Sequence, residues 1–212
     1  MKKIITTILL SVSILSVDAQ VDKLAGPRVG VTMVQAGSLA SILRKDVPLF
    51  SDDIREEWTG STGKYGAVMS QYGWQWESRF LDGGDIVGLV EWIALVGGME
   101  KGMFLPSVSS MVGLRTASGF ELAAGPNLSL GGIAMVIGIG KTLKFGKLNV
   151  PVNIAYVPSM NKTYNHEAEY DHTHMWDEEG NSLEPVLETP AYSVTHPTGA
   201  RISVMVGFNL GK

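Results

Sequence analysis

The chain has 212 residues, of which 45% are apolar, no cysteine and a formal net charge of −4. This length suits one domain with a substantial core, the lack of cysteine excludes a disulfide framework, and the slight acidic surplus excludes a basic nucleic-acid-binding face. After residue 20 no stretch of 18 consecutive apolar residues occurs, which excludes a helical membrane protein but not one that crosses a bilayer with strands of roughly 9–11 residues.

The first 19 residues have the pattern of a secretory signal peptide. Lys2 and Lys3 precede an uncharged run from Ile4 to Val17, and Ala19 ends a short site that predicts cleavage before Gln20. The run is shorter than the roughly 20 residues that an apolar helix needs to cross a bilayer. We therefore expect an exported protein with one domain over residues 20–212; an anchor that stays attached is the alternative.

Eight segments predict β-strands, because apolar and polar or small residues alternate in them with the period of two that strands show. The clearest is Tyr72–Phe80, where aromatic and polar side chains alternate. Because Pro151 cannot donate to a ladder, we expect a bulge there. In chain order the predicted strands are Pro27–Val34, Tyr72–Phe80, Ile86–Val96, Val108–Arg115, Gly119–Gly125, Ile133–Gly140, Leu148–Tyr156 and Arg201–Leu210.

The connections between these strands alternate in length. They cover roughly residues 35–66, 81–85, 97–107, 116–118, 126–132, 145–147 and 158–199, so that the odd connections are long and the even ones tight. A membrane barrel has short turns on one side and long loops on the other. The fold class predicted is all-β, a closed antiparallel up-and-down transmembrane β-barrel of about eight strands with long outside loops near 35–66 and 158–199.

A helix start is predicted at Ser51–Glu56 from its first-turn acids.

Alternation alone does not say which face of the barrel points outward. A soluble barrel keeps charged residues on its outer face, whereas the lysines after residue 20 lie in loops, turns, strand ends and tails. The face opposite the bulky residues consists mainly of small side chains, which suits the narrow interior of an eight-stranded barrel. We therefore expect the bulky face to meet lipid, with aromatic residues near the two interfaces. These residues are Tyr72, Trp74, Trp76, Phe80, Trp92 and Tyr156.

The same assignment directs seven charged residues into the lumen: Arg28, Glu77, Arg79, Glu91, Arg115, Glu121 and Arg201. Buried charges are costly unless they are paired, and the guanidinium fork matches a carboxylate. We expect a network that plugs the barrel, with Glu77 and Glu91 nearer mid-height. Its other members near the periplasmic end are expected to be Arg28, Arg79, Arg115 and Glu121. A proton or ion relay is the alternative.

The last long connection holds all four histidines in an acidic context. His166, His172 and His174 form a weak candidate metal site, since imidazole with carboxylate suits Zn, Cu or Ni; a solvated acidic loop is the alternative. No cofactor is expected. With no Gly-x-Ser-x-Gly motif and every histidine in one connection, we expect no catalytic residues and no enzyme activity.

The chain resembles the small eight-stranded outer-membrane β-barrel proteins in its leader, its strand-and-turn rhythm and its final strand Arg201–Leu210. The segments Gly26–Thr32 and Val206–Leu210 are similar to those of uncharacterised barrels of this kind. The resemblance implies an outer-membrane location with membrane lipid and the barrel-insertion machinery as partners. Nucleic acid is already excluded by the charge, and the sequence identifies no particular extracellular ligand. The hypothesis is a structural or surface-interaction barrel; the alternatives are a narrow pore or carrier for a small solute, and a soluble lipocalin-like binding barrel.

Overall fold

A computed structural model describes residues 23–47, 62–171 and 185–210, which are almost entirely β-strand. Eight antiparallel strands pair in chain order, and the last pairs with both the first and the seventh, so that the sheet closes into a barrel. The barrel strands are β1 (Gly26–Val34), β2 (Ala67–Asp82), β3 (Ile86–Gly97), β4 (Leu105–Thr116), β5 (Phe120–Ser129), β6 (Gly132–Phe145), β7 (Leu148–Val157) and an eighth made of β12 (Arg201–Gly207) and β13 (Asn209–Leu210). The predicted all-β closed barrel of eight strands is confirmed.

The chain divides into two compact units. The barrel unit consists of three segments: the described residues up to Met33, Met69–Pro158, and the described residues from Arg201 onward. The second unit comprises Val34–Val68 and Ser159–Ala200. In the barrel unit, alternate residues are buried and exposed along most strands, as the pleat requires. The buried apolar side chains inside the barrel include a cluster on β4, β5, β6 and β7, formed by Met111, Ala123, Ala134, Val136 and Val157.

The fifth connection differs from the prediction. Residues 126–132 were expected to form a loop, but β5 continues to Ser129 and pairs with β6 through to Gly132, which leaves a turn of Leu130 and Gly131. Pro126 lies within β5 opposite Met135, and the ladder to β4 is interrupted between Ser109 and Val112. A proline removes one N–H donor, so β5 keeps one ladder intact and loses bonds in the other. The expectation that every odd connection is long is therefore wrong at this position.

The bulge expected at Pro151 is also absent. The register of β6 against β7 passes from Lys141↔Val152 through Thr142↔Pro151 to Leu143↔Val150 without a shift. The eighth strand is instead interrupted at Phe208, between the pairs Val206↔Val152 and Asn209↔Asn149. The missing N–H donor of Pro151 is thus accommodated by a gap in the ladder between β7 and the eighth strand, and neither strand contains an extra residue.

The second unit contains one helix and two small sheets. Helix α1 (Ser38–Arg44) ends at Lys45 in the left-handed conformation; the sequence pattern did not predict it, and the segment Ser51–Glu56 lies outside the described residues. Strand β8 (Asn161–His166) pairs with β11 (Tyr192–Pro197), and β9 (Glu169–Asp171) pairs with β10 (Val186–Thr189). Within the described ranges, no helix has the length and apolar character needed to cross a membrane.

Candidate functional site in the barrel interior

The outer face of the barrel is apolar. Trp76 is 52% exposed and Ile137 is 51% exposed, and both lie on strand positions that alternate with buried residues. All six aromatic residues assigned to the outer face are exposed: Tyr72, Trp74, Trp76, Phe80, Trp92 and Tyr156. Trp76 lies directly opposite Trp92 within the strand pair, away from both strand ends.

A set of phenylalanines marks one end of this outer face. Phe80 lies near the turn between β2 and β3, Phe120 directly follows the turn after β4, and Phe145 directly precedes the turn between β6 and β7. All three side chains are at least half exposed. Aromatic rings therefore border the apolar face at the end of the barrel that carries the turns after β2, β4 and β6.

Arg115 is the centre of an ionic network inside the barrel. Its Nη1 and Nη2 donate to the two carboxylate oxygens of Glu77 at 3.1 and 2.8 Å, in a bidentate pair. Its Nε donates to Oε2 of Glu121 at 2.6 Å, and Nη2 also lies 3.2 Å from Oε1 of Glu91. The side chains of Arg115, Glu77 and Glu91 are at most 2% exposed. One guanidinium thus holds three carboxylates from three strands.

A neutral amide joins Arg28 to this network. Gln75 accepts from Nε of Arg28 at 2.9 Å and donates through Nε2 to Oε1 of Glu91 at 2.7 Å. Arg28 also donates to the backbone carbonyls of Leu24 and Pro27. On the other side, Asn153 Nδ2 donates to Oε1 of Glu121 at 3.1 Å. The contacts extend from β1 to β7 across the interior.

The structure brings together five of the seven charged residues predicted for the lumen: Arg28, Glu77, Glu91, Arg115 and Glu121. Glu77 and Glu91 lie opposite each other within β2 and β3, farther from the turns than Arg115 and Glu121, and they contact Arg115 directly. The long Arg115 side chain reaches both carboxylates from a position near the turn after β4.

Two of the predicted charges lie elsewhere. The Nε of Arg79 is buried and has no hydrogen-bond partner among the residues that the structure describes. Arg201, at the start of β12, donates from Nη1 to Oγ of Ser129 and from Nη2 to Oδ1 of Asn127, both at 3.1 Å. Arg201 therefore contacts a cluster of neutral groups near the start of β4 and the end of β5.

A cavity of about 80 Å³ lies inside the barrel unit. Its polar lining includes Glu91, Asn153 and Arg201, and its apolar lining includes Met111, Val136 and Val157. At about 10–15 Å³ for each water-sized group, this space holds roughly five to eight of them. Asn153 Oδ1 is buried and receives no hydrogen bond within the described ranges.

Sequence reasoning did not single out the amides that complete the interior. Gln75 and Gln71 share a strand face with Glu77 at intervals of two and six residues, and Asn153 lies on the buried side of β7. Gln71 accepts a hydrogen bond from Thr32, and Thr32 also lies 2.7 Å from the hydroxyl of Ser203. The period of two places these amides on the same face as the interior charges, and this was the sequence signal that could have identified them.

The histidine-based metal site cannot be built from the described residues. His172, His174 and the side chain of His166 lie outside the described part of the chain. His196 is buried in β11. Within the ranges covered, no group of three His, Asp or Glu side chains is arranged to hold a metal ion.

Chemically, the interior offers ion pairing and hydrogen bonding around a small cavity with one apolar wall. Comparison with known proteins gives no further indication of the role of this interior, because the chain matches no protein-family model, no curated protein and no solved structure.

Proposed function

We propose that this chain is an outer-membrane β-barrel protein of structural or surface-interaction type, with a lumen closed by its Arg–Glu network. The observation that carries the proposal is the continuous apolar outer face. Exposed large apolar residues occur on all the barrel strands, among them Val31, Trp76, Trp92, Val112, Leu122, Ile137, Ile154 and Val204. A monomer in water rarely exposes a contiguous apolar patch of more than a few hundred Å².

The strand lengths support a lipid environment. The shortest continuous barrel strands have 9 or 10 residues and the longest has 16, and the eighth strand runs from Arg201 to Leu210 with one interruption. A tilted strand of about 9–11 residues spans a bilayer. Because closure pairs every barrel strand on both sides, no edge would face hydrocarbon.

The distribution of charge disfavours the soluble, lipocalin-like alternative. Such a barrel holds an apolar ligand inside and is charged outside. Here the buried interior contains Arg28, Glu91, Arg115 and Glu121, whereas Trp76 and Ile137 point outward. The distribution of charged and apolar side chains between the inside and the outside is therefore the reverse of that in a soluble carrier.

The network also disfavours an open pore. The guanidinium of Arg115 and the carboxylates of Glu77, Glu91 and Glu121 meet in one layer across the narrow interior, and an eight-stranded barrel has little more room than its side chains fill. The surface-interaction part of the proposal is supported by the second unit, whose small sheets expose Tyr170, Val186 and Leu187.

Fluorescence quenching tests the lipid-facing assignment directly. The chain with Trp58→Phe and Trp176→Phe retains Trp74, Trp76 and Trp92, all on the outer face. In vesicles of phospholipids brominated on their acyl chains, we expect strong quenching relative to unbrominated lipid. Equal fluorescence in the two lipids would contradict the proposal.

Two further measurements separate the closed barrel from its alternatives. Detergent-extracted protein should migrate differently in gels when boiled and unboiled; identical migration would count against a stable membrane barrel. Proteoliposomes should show no solute-size-dependent swelling, whereas steady swelling with small sugars would support the pore.

A further inference from the structure

Four charged side chains line the cavity inside the barrel, namely Arg28, Glu91, Glu121 and Arg201. Two of them differ in their surroundings: Glu91 belongs to the ionic network, and Arg201 contacts neutral groups. At one side is Glu91, which is 1% exposed. Gln75 Nε2 and Arg115 Nη2 both donate to its Oε1, and Glu91 also lines the cavity.

The surrounding network does not balance this carboxylate. Arg115 pairs with three glutamates, and Arg28 adds a second guanidinium through Gln75. The bonded network therefore has three carboxylates and two guanidiniums. Arg79 does not line the cavity. Asn153 Oδ1, a buried acceptor without a donor among the described residues, lines the same space.

The second charge is Arg201, which also lines the cavity. Its two described hydrogen bonds go to the hydroxyl of Ser129 and the amide oxygen of Asn127, both neutral groups. No carboxylate lies within ion-pair distance of Arg201 among the described residues. Arg201 is half-buried, and a guanidinium partly removed from water without an anion is costly, so the cavity favours an anionic group next to Arg201.

The cavity lining also has apolar side chains near each of the two charges. Met111 lies opposite Glu91 in the strand register and Val157 lies opposite Arg201, and both belong with Val136 to the interior apolar cluster. A ligand that satisfies all three regions carries an ammonium group for Glu91 and Asn153, a carboxylate for Arg201, and a short methylene chain against the apolar wall. Its size is limited to roughly five to eight heavy atoms by the cavity volume.

We propose that the barrel interior binds a small zwitterionic ω-amino acid, with its ammonium at Glu91 and Asn153 and its carboxylate at Arg201. The site consists of residues of the barrel unit alone. It does not depend on the membrane location proposed above, because the cavity and its charges belong to the interior.

Calorimetry on the folded protein in detergent tests the site with matched probes. The probes are 4-aminobutyrate, n-butylammonium, which lacks the carboxylate, and butyrate, which lacks the ammonium. Because hydrogen bonds to charged groups are strong, we expect 4-aminobutyrate to bind at least about tenfold more tightly than either fragment. No binding of 4-aminobutyrate, or equal binding of it and either fragment, would overturn the proposal.

Two isosteric variants separate the two ends. Glu91→Gln should abolish the preference for 4-aminobutyrate over butyrate, whereas Arg201→Gln should abolish the preference over n-butylammonium. Glu100→Gln, at an exposed turn carboxylate, is the control and should leave all three affinities unchanged. If Glu91→Gln binds 4-aminobutyrate as the parent does, Glu91 is not a ligand residue and the proposal fails. Because the three probes are compared on the parent protein, the result stands even where a variant does not fold.

Discussion

Arg115 and Glu121 lie directly opposite each other on β4 and β5, and Nε of Arg115 donates to Oε2 of Glu121 across 2.6 Å. The two residues flank the turn after β4, so the chain brings this pair together locally. Glu77 and Glu91 reach the same guanidinium from β2 and β3. The network thus combines a local pair on adjacent strands with contacts between residues that are farther apart in the sequence.

Removal of the guanidinium should destabilise the barrel strongly. Arg115→Met leaves three carboxylates in a buried layer without their shared partner, and we expect the free energy of unfolding to fall by about 3–5 kcal/mol. The measurement is urea unfolding of the protein in detergent. Arg44→Met, which removes the exposed pair with Asp46, is the control and should cost less than about 1 kcal/mol. Equal, small losses in the two variants would contradict a structural role for the network.

The close approach of β4 and β5 depends on Gly125. A Cβ at this position would lie closer than van der Waals contact to backbone atoms of Ser110 and Met111, so the strands would have to separate. We expect Gly125→Ala to lower the free energy of unfolding by about 1–3 kcal/mol. Gly138→Ala is the matched control, because its Cβ would meet the flexible end of Met111 at 3.3 Å. Thermal unfolding in detergent compares the two, and equal stability would show that β4 can move aside freely.

A charge on the outer face distinguishes lipid from water as the surrounding medium. Ile137 is 51% exposed in β6. If this face meets hydrocarbon, Ile137→Arg should cost about 2–4 kcal/mol when folding into phospholipid vesicles is titrated with urea. Ser118→Arg, in the exposed turn after β4, should cost little. A neutral or stabilising effect of Ile137→Arg would indicate that this face meets water.

Glu100 should titrate at an unusually low pH because of Ser70. The hydroxyl and backbone N–H of Ser70 both donate to the Glu100 carboxylate, and the hydroxyl contact chiefly lowers the pKa of Glu100 below its ordinary value. A carboxyl whose pKa is lower in the folded state stabilises that state above its unfolded-state pKa, and this contribution is lost as the pH falls through the folded-state pKa.

The corresponding variant is Ser70→Ala, which should raise the pKa of Glu100 towards its ordinary value. A carbon-13 NMR titration of the side-chain carboxyl would measure the change. Ser78→Ala, at an exposed position of the same strand, should leave the pKa as it is. An unchanged pKa in Ser70→Ala would exclude the hydroxyl as its cause.

The sequence alone determined that the eight barrel segments are strands with two opposite faces. The alternation around Trp76 and Ile137 has a period of two, and steric geometry converts that period into two opposite faces without reference to the rest of the molecule. The same local rule placed Arg115, Glu121 and Glu91 on the face that is buried in the structure. It applies equally to Gln75, an uncharged residue two positions before Glu77 on the same strand face.

Tertiary structure decided the partners and the exceptions. The contact of Glu77 with Arg115 joins residues 38 positions apart, and strand register and side-chain reach set that distance rather than any local pattern. Pro126 reads as a loop residue by itself, yet it lies in a strand because the ladder to β6 remains intact when the ladder to β4 is interrupted. Closure of the sheet brings Glu91, Asn153 and Arg201 around one cavity, since only a closed barrel places the interior faces of β3, β7 and β12 within reach of each other.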